Sequence, residues 1–419
     1  MATYYIDFEN GRQENDGLSP LTAKPDYRDI DLQGGDRVLF KRGSFVRDCL
    51  YAKRHVTYGS YGEGTLPTFC GSCDISTEQD WMPTEAENIW RCVKPMDGDV
   101  GNLIFNENDC TAALKWDFEA LAEQGDFFSR PCETSEGWTG RNHETELYLY
   151  SVGHPALVYS HIEAAAYGMR HLVNLDEGMT FEDLRFINSG VHGMGGHGNH
   201  ITVRRCVFEN IGGCPWSHEL RIRFGNGFEI WQQGNDILLE HCTFRNIYDS
   251  CVTHQGPGDQ TEPTNRFICR HCHFDTYGMA AFEYRDKLPI QSEFSYNVCQ
   301  NAGCGFAMLS ETLPRSSEIW PQPMGHHIFL WRIPEATEDG SLSIHDNIFG
   351  YAPVGAAIYS IISKEAEAQI SLKNNTYTPN DVLLNHFGGK AYTDLEEYKM
   401  QTGQDENSIY TVNVFVTPK

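Results

Sequence analysis

The chain has 419 residues, 40% hydrophobic and 12% aromatic, and its formal charge is −26. That length admits two or three ordinary domains or one repeat architecture that keeps adding units to a single core. No run approaches the ~20 apolar residues that span a bilayer, and the basic residues form no stripe, so membranes and nucleic acid are set aside as partners and a neutral substrate is favoured over a polyanionic one.

The opening MATYYIDFENG has no basic n-region and no apolar h-region, so no secretory signal is expected. Fourteen cysteines, too dispersed for a disulfide framework, read as reduced thiols, which points to a cytoplasmic protein without a structural zinc. Across residues 1–170, strand-like pieces such as Arg37–Phe40 and Leu147–Tyr150 alternate with Gly, Asp and Pro turns, and Cys132 to Glu144 reads as a polar loop. This part is expected to hold the opening coils of a solenoid together with a β-rich insertion.

Residues 171–385 carry an internal repeat: LRFIN (184–188), CVFEN (206–210), CTFRN (242–246), CHFDT (272–276), NVCQN (297–301), NIFGY (347–351) and NTYTP (375–379). Most are preceded by period-2 apolar alternation, as in Ile201-Thr-Val-Arg and Ile370-Ser-Leu-Lys. The spacings of 22, 36, 30, 25, 50 and 28 residues describe one coil of short strands with insertions confined to its loops. A coil that cannot bury its apolar side alone must stack on its neighbours. The predicted fold is therefore all-β, a parallel β-helix. Leu184, Cys206, Cys242, Cys272, Asn297, Asn347 and Asn375 form one inward ladder, with Phe186, Phe208, Phe244, Phe274, Cys299, Phe349 and Tyr377 as a second. The Asn that ends several repeats suits a left-handed corner.

Residues 386–419 are expected to form a cap. Thr393-Asp-Leu-Glu396 reads as a capping box and Gly403 as a C-terminal stop, giving a short helix over 394–402 before a last strand at Tyr410 to Val416.

Four pieces, GGDRVLFKRGSF (34–45), HVTYGSYGEGTLP (55–67), GNGFEIW (225–231) with YDSCVTHQG (248–256), and TDLEEYKMQTGQDENSI (393–409), resemble bacterial right-handed parallel β-helix proteins of carbohydrate metabolism in the broad pectate-lyase-like superfamily. The resemblance implies the right-handed fold and a carbohydrate substrate. It leaves lyases, glycoside hydrolases, epimerases and adhesins to be separated by the site itself.

Counting Cys242 and Cys272 as position one, Thr253 and Glu283 share position twelve, and Gln255 and Arg285 share position fourteen; FGNGFEIWQQG offers Glu229 and Trp231 to the same columns. These side chains should form a polar stripe on one solenoid face. Coils lie ~4.8 Å apart, so Glu229 and Glu283, two coils apart, should have backbones about 10 Å apart, with Asp249 on the coil between them. Glycoside hydrolysis needs two carboxyls at separations this trio can reach. Asp249 is expected to act as nucleophile or general base and Glu283 as acid, with Glu229 an alternative acid or a sugar ligand. Arg285 and Gln255 would hold hydroxyls, while Trp231 and Trp320 would stack on sugar rings. His192 and His254 complete the expected cleft, although His254 falls between outward positions, which favours an inward ring. Neither a cofactor nor a metal is called for, and a homo-oligomer is left open.

Two plainer readings compete. The cysteine cluster Cys206, Cys242, Cys251, Cys269 and Cys272 sits largely on a core ladder, where a thiol is a small hydrophobe. The segment Val191 to His200 holds His192, His197 and His200 without a carboxylate or thiol partner nearby in sequence. For the site itself, the alternatives are a polysaccharide lyase using Arg285 or His254, and a non-catalytic carbohydrate-binding β-helix using Trp231 and Trp320.

Overall fold

The computed structural model describes residues 1–130, 144–169, 171–309, 311, 315, 320–378 and 383–411. Of the expected Cys132 to Glu144 loop, residues 132–143 lie outside them, while Glu144 opens the short strand Glu144–Thr145 paired with Met96–Asp97. Everything after residue 411 in the expected last strand also lies outside, and Ile409–Tyr410 pairs in parallel with Thr376–Tyr377. Three long sheets wind as a parallel β-helix. The first runs from Thr3–Ile6 to Ile370–Lys373 and the second from Phe45–Val46 to Ile409–Tyr410. The third carries the site, and its strands are numbered here: β1 (His171–Leu175), β2 (His192–Gly196), β3 (Phe228–Trp231), β4 (Ser250–Gln255), β5 (Ala280–Arg285), β6 (His326–Trp331), β7 (Ile358–Ile361) and β8 (Asn385–Phe387).

The ladders read from the repeat are the core. Phe186 pairs in register with Phe208, Phe208 with Phe244, Phe244 with Phe274, and so on to Tyr377. Adjacent rings stack at 4.7 Å between Phe208 and Phe244 and 5.2 Å between Phe244 and Phe274. Each fully buried ring contributes roughly 1.5–3 kcal/mol over its exposed state. Further along, Asn347 Oδ1 accepts from the Asn297 N–H and Asn375 Oδ1 from the Asn347 N–H, both at 3.0 Å, so the inward amides satisfy the backbone at the coil's bend. The corner asparagines Asn188, Asn210, Asn246 and Asn301 all have φ between 54° and 58°. A second left-handed corner, at Asp183, Arg205, His241, His271, Tyr296, Asp346 and Asn374, has no residue-type signature and escapes sequence reading.

Insertions leave at fixed corners. Between the second and third sheets, described residues 71–130 and 144–166 form an inserted unit in which Ile162–Ala166 lies antiparallel between Val100–Phe105 and Ser72–Asp74, beside a five-stranded sheet that includes Ile89–Cys92 and Leu147–Tyr150. It buries its own core of Trp81, Leu103, Phe127 and Leu147. The same corner later emits the hairpin Cys214–Ser217 with Ile222–Phe224. At the C-terminal end, a helix spans Leu395–Thr402, but its cap is Asp394, whose carboxylate accepts from the Glu397 N–H at 2.7 Å, rather than Thr393. The register is shifted by one residue because Asp is the stronger N-cap. Gly403 closes the helix at φ 67°.

Burial keeps several histidines uncharged, with pKa values of about 3 for His254 and His326 and about 4 for His327. These folded values lie below the unfolded one, so the stabilisation is complete above about pH 6.5 and is lost as pH falls toward the folded pKa. His254→Leu removes one such group. Unfolding free energies measured by denaturant between about pH 6.5 and about pH 5 should therefore fall less steeply in the variant, by up to about 1.4 kcal/mol per pH unit. Parallel slopes would show that His254 takes up no proton on unfolding.

Candidate active site

The floor of the site is the outward face of the third sheet. Glu229 on β3 pairs with Thr253 on β4, and Thr253 with Glu283 on β5, so the two glutamates share a column two strands apart. Trp231 pairs with Gln255, and Arg285 with Trp331 on β6, giving the adjacent column. Asp249 immediately precedes β4 on the coil between the glutamates. The stripe is not an exposed face: Glu229 is 6% exposed, Asp249 3% and Glu283 1%. They line a cavity of about 770 Å³.

The roof explains that burial. Gly225 has φ 138°, and a Cβ there would lie 2.2 Å from the Gly212 Cα, so the hairpin's neck can pinch shut only with glycines. The hairpin brings Trp216, Ile222 and Phe224 over the cavity. It is fastened to the inserted unit by His218 Nε2, 2.9 Å from Asp99 Oδ2, and by the buried Arg223, whose Nη2 donates to the Gly101 carbonyl at 2.7 Å. Arg315 closes the other side, donating one Nη to the Arg223 carbonyl and the other to Asp249 Oδ2. Trp320 lies over the Arg315 guanidinium at 5.6 Å.

Each carboxyl has a different setting. Burial pushes Asp249 up from its ordinary value, and the Arg315 guanidinium on Oδ2 opposes that shift; Oδ1 has no hydrogen-bond partner among the described residues. Glu283 is also raised by burial, opposed by Arg285 and reinforced by the neighbouring Asp249 charge. Its Oε2 accepts from Ser250 Oγ at 2.7 Å and its Oε1 from Trp331 Nε1 at 2.8 Å. Glu229 is raised by burial too, while Oε2 accepts from Asn226 Nδ2 at 2.6 Å and from Gln255 Nε2. His192 accepts the Asn226 N–H on Nδ1 at 2.9 Å, leaving Nε2 to face Glu229 Oε2 at 3.8 Å. Desolvation lowers His192 to about 3 and His171 to about 4, so both rings are neutral at pH 7.

The structure thus gathers Asp249, Glu283, Glu229, Gln255, Arg285, Trp231, His192 and Trp320 around one cavity. His254 is the exception and corrects the expectation of a sugar contact: it alternates with the outward Thr253 and Gln255, is 0% exposed, and packs on Tyr284 at 5.3 Å inside the helix. His197 lines the cavity, whereas His200 pairs with Asp236 at 3.3 Å away from it. Cys206, Cys242 and Cys272 are buried on the core ladder with thiols pushed well above their ordinary range by desolvation. The loop from Pro257 to Asn265 contributes Gly258 and Asp259 to a neighbouring pocket. In the segment Thr312 to His326, Arg315 and Trp320 reach the cavity, while residues 312–314 and 316–319 lie outside the described set. Sequence reading missed His171, Trp216, Arg315 and Trp331.

No family model and no curated protein sequence matches this chain. Among solved structures, it is similar to one described as a glycoside hydrolase, at 10% identity and TM-score 0.44 over 98% of this chain and 96% of the other. It is also similar to XylC in complex with xylose, at 10% identity and TM-score 0.45 over 97% and 82%. Pectate lyase Pel9A aligns at 12% identity and TM-score 0.45 over 99% of this chain and 78% of that one. The assignment of the chain to the parallel β-helix fold stands on its own strand pairing.

Proposed function

We propose that the protein is a glycoside hydrolase acting on a neutral glycan, with Asp249 as nucleophile or general base and Glu283 as general acid. The observation that carries this reading is the pairing of two buried carboxyls in one cavity with different hydrogen-bond partners: Asp249 holds a guanidinium, whereas Glu283 holds neutral donors and is raised by burial and the Asp249 charge against the opposing Arg285. A salt bridge keeps a buried carboxyl ionised, and a like charge keeps its neighbour protonated. Glu283 then gives its proton to the glycosidic oxygen as the C–O bond breaks, and Asp249 supplies the negative charge opposite the anomeric carbon. Glu229 is fixed by amide donors and a neutral imidazole, a setting suited to a sugar hydroxyl. Trp216, Trp231, Trp320 and Trp331 line the cavity and offer apolar faces to the C–H side of a pyranose.

Incubation with a panel of neutral aryl glycosides and unmodified oligosaccharides tests this reading. At least one should be turned over at roughly 1–10³ s⁻¹, with water added and no unsaturated sugar absorbing in the ultraviolet. An absorbing product would mark a lyase, and saturable binding without any product would mark a binding protein.

A further inference from the structure

A second pocket of about 480 Å³ adjoins the cavity, and nothing in the chemistry above uses it. Its wall is built at the opposite edge of the third sheet, from the turns that lead back to the first sheet. Gly258 and Asp259 follow β4, Asp286 and Lys287 follow β5, Arg332 to Glu335 follow β6, and Ile361 to Ser363 close β7. Arg332 lines both spaces. Its guanidinium forms an ion pair with Asp286 Oδ1 at 2.9 Å and lies 5.5 Å from the Trp331 ring, whose Nε1 holds Glu283. The second pocket therefore opens from the side of the cavity where the proposed acid stands, beyond β5, and not from the side of Glu229 on β3.

We propose that this pocket is a second sugar subsite, on the leaving-group side, so that the substrate is a neutral oligosaccharide of at least two units; this rests on the glycosidase reading. Four of its five charged side chains are matched in pairs, Arg332 with Asp286 at 2.9 Å and Lys287 with Glu335 at 3.0 Å, and Asp259 adds a further acceptor. Such pairs present donors and acceptors side by side, as the adjacent hydroxyls of a sugar require, and no unmatched cation calls for an anion. The Asp286 carboxylate is 2% exposed and also accepts the Gly256 N–H at 3.2 Å, so it is a fixed acceptor. Ile333, Pro334, Ile361 and Ile362 supply the apolar strip. Both volumes fall within the ~300–1,000 Å³ range of small-ligand sites.

Ile361→Trp fills the second pocket from the outward face of β7, and Lys287→Ala with Glu335→Ala removes one ion pair. With the sugar that the panel identifies, the quantity read is the ratio of kcat/KM for its trisaccharide to kcat/KM for its aryl glycoside. That ratio should fall at least tenfold in Ile361→Trp and about threefold or more in the double variant. An unchanged ratio in both overturns the subsite. If the wild type hydrolyses nothing, the glycosidase reading fails separately, and saturation-transfer NMR with the panel's neutral trisaccharides decides the subsite. Transfer seen with wild type and lost in Ile361→Trp supports it, whereas equal transfer, or none with wild type, overturns it.

Discussion

Asp249→Asn should lower kcat by about 10³-fold while leaving the β-helix intact. The amide keeps the size of the carboxylate and an oxygen for Arg315, but removes the charge. Oδ1, which has no hydrogen-bond partner among the described residues, is the atom left to face the anomeric carbon or an attacking water. Removing one partner of a buried ion pair costs about 3–5 kcal/mol. Asparagine retains an acceptor and should cost less, so denaturant unfolding of Asp249→Asn and Asp249→Ala separates the structural from the chemical loss. If Asp249 is the nucleophile, azide added to Asp249→Ala should restore turnover and yield a glycosyl azide. An Asp249→Asn enzyme with wild-type kcat and an unaltered pH profile would exclude the assignment.

The second large effect is expected at Glu283, and its signature is selectivity for the leaving group. Glu283→Gln cannot protonate the glycosidic oxygen, so unmodified oligosaccharides, whose leaving alcohols need that proton, should lose about 10²–10⁴-fold in kcat. Aryl glycosides of acidic phenols leave without protonation and should lose far less. The pH dependence supplies an independent reading. Burial and the Asp249 charge raise the Glu283 carboxyl, and it acts only while protonated, so wild-type kcat/KM should fall as pH rises through its folded pKa. That alkaline limb should vanish in Glu283→Gln. Equal losses on both substrate types, with the limb retained, would assign the proton to another group, Glu229 first.

The parts of the molecule legible in the sequence are those the repeat repeats. Phe208, Phe244 and Phe274 announce themselves because each coil sets the same side chain at the same place, and the same count puts Thr253 opposite Glu283. The sequence does not reveal whether an outward column is wet. Glu229 and Glu283 look like a solvated stripe until the hairpin and Arg315 are placed over them, and those roof pieces obey no repeat. Arg315 and Trp216 enter from insertions whose landing point depends on tertiary contacts with the inserted unit. Trp331 was within reach: HHIFLW is a short apolar strand-like run, and carrying the register across the 50-residue gap would have set it beside Arg285. The His254 misplacement has the opposite cause, since strand alternation alone already turns it inward.

The fixed corners at which the coil releases its insertions have an evolutionary and practical meaning. The proposed catalytic groups sit on or beside rungs whose geometry is dictated by stacking, while what covers them is spliced in at two seams, one on either side of β1–β8. Substrate choice can then drift by lengthening, shortening or exchanging the segments at a seam, with little risk to the rungs beneath. The same partition makes the molecule a chassis for recombination: chimaeras that trade the hairpin between Cys214 and Phe224, or the turns after β5 and β6, should retain the scaffold and inherit a new glycan preference.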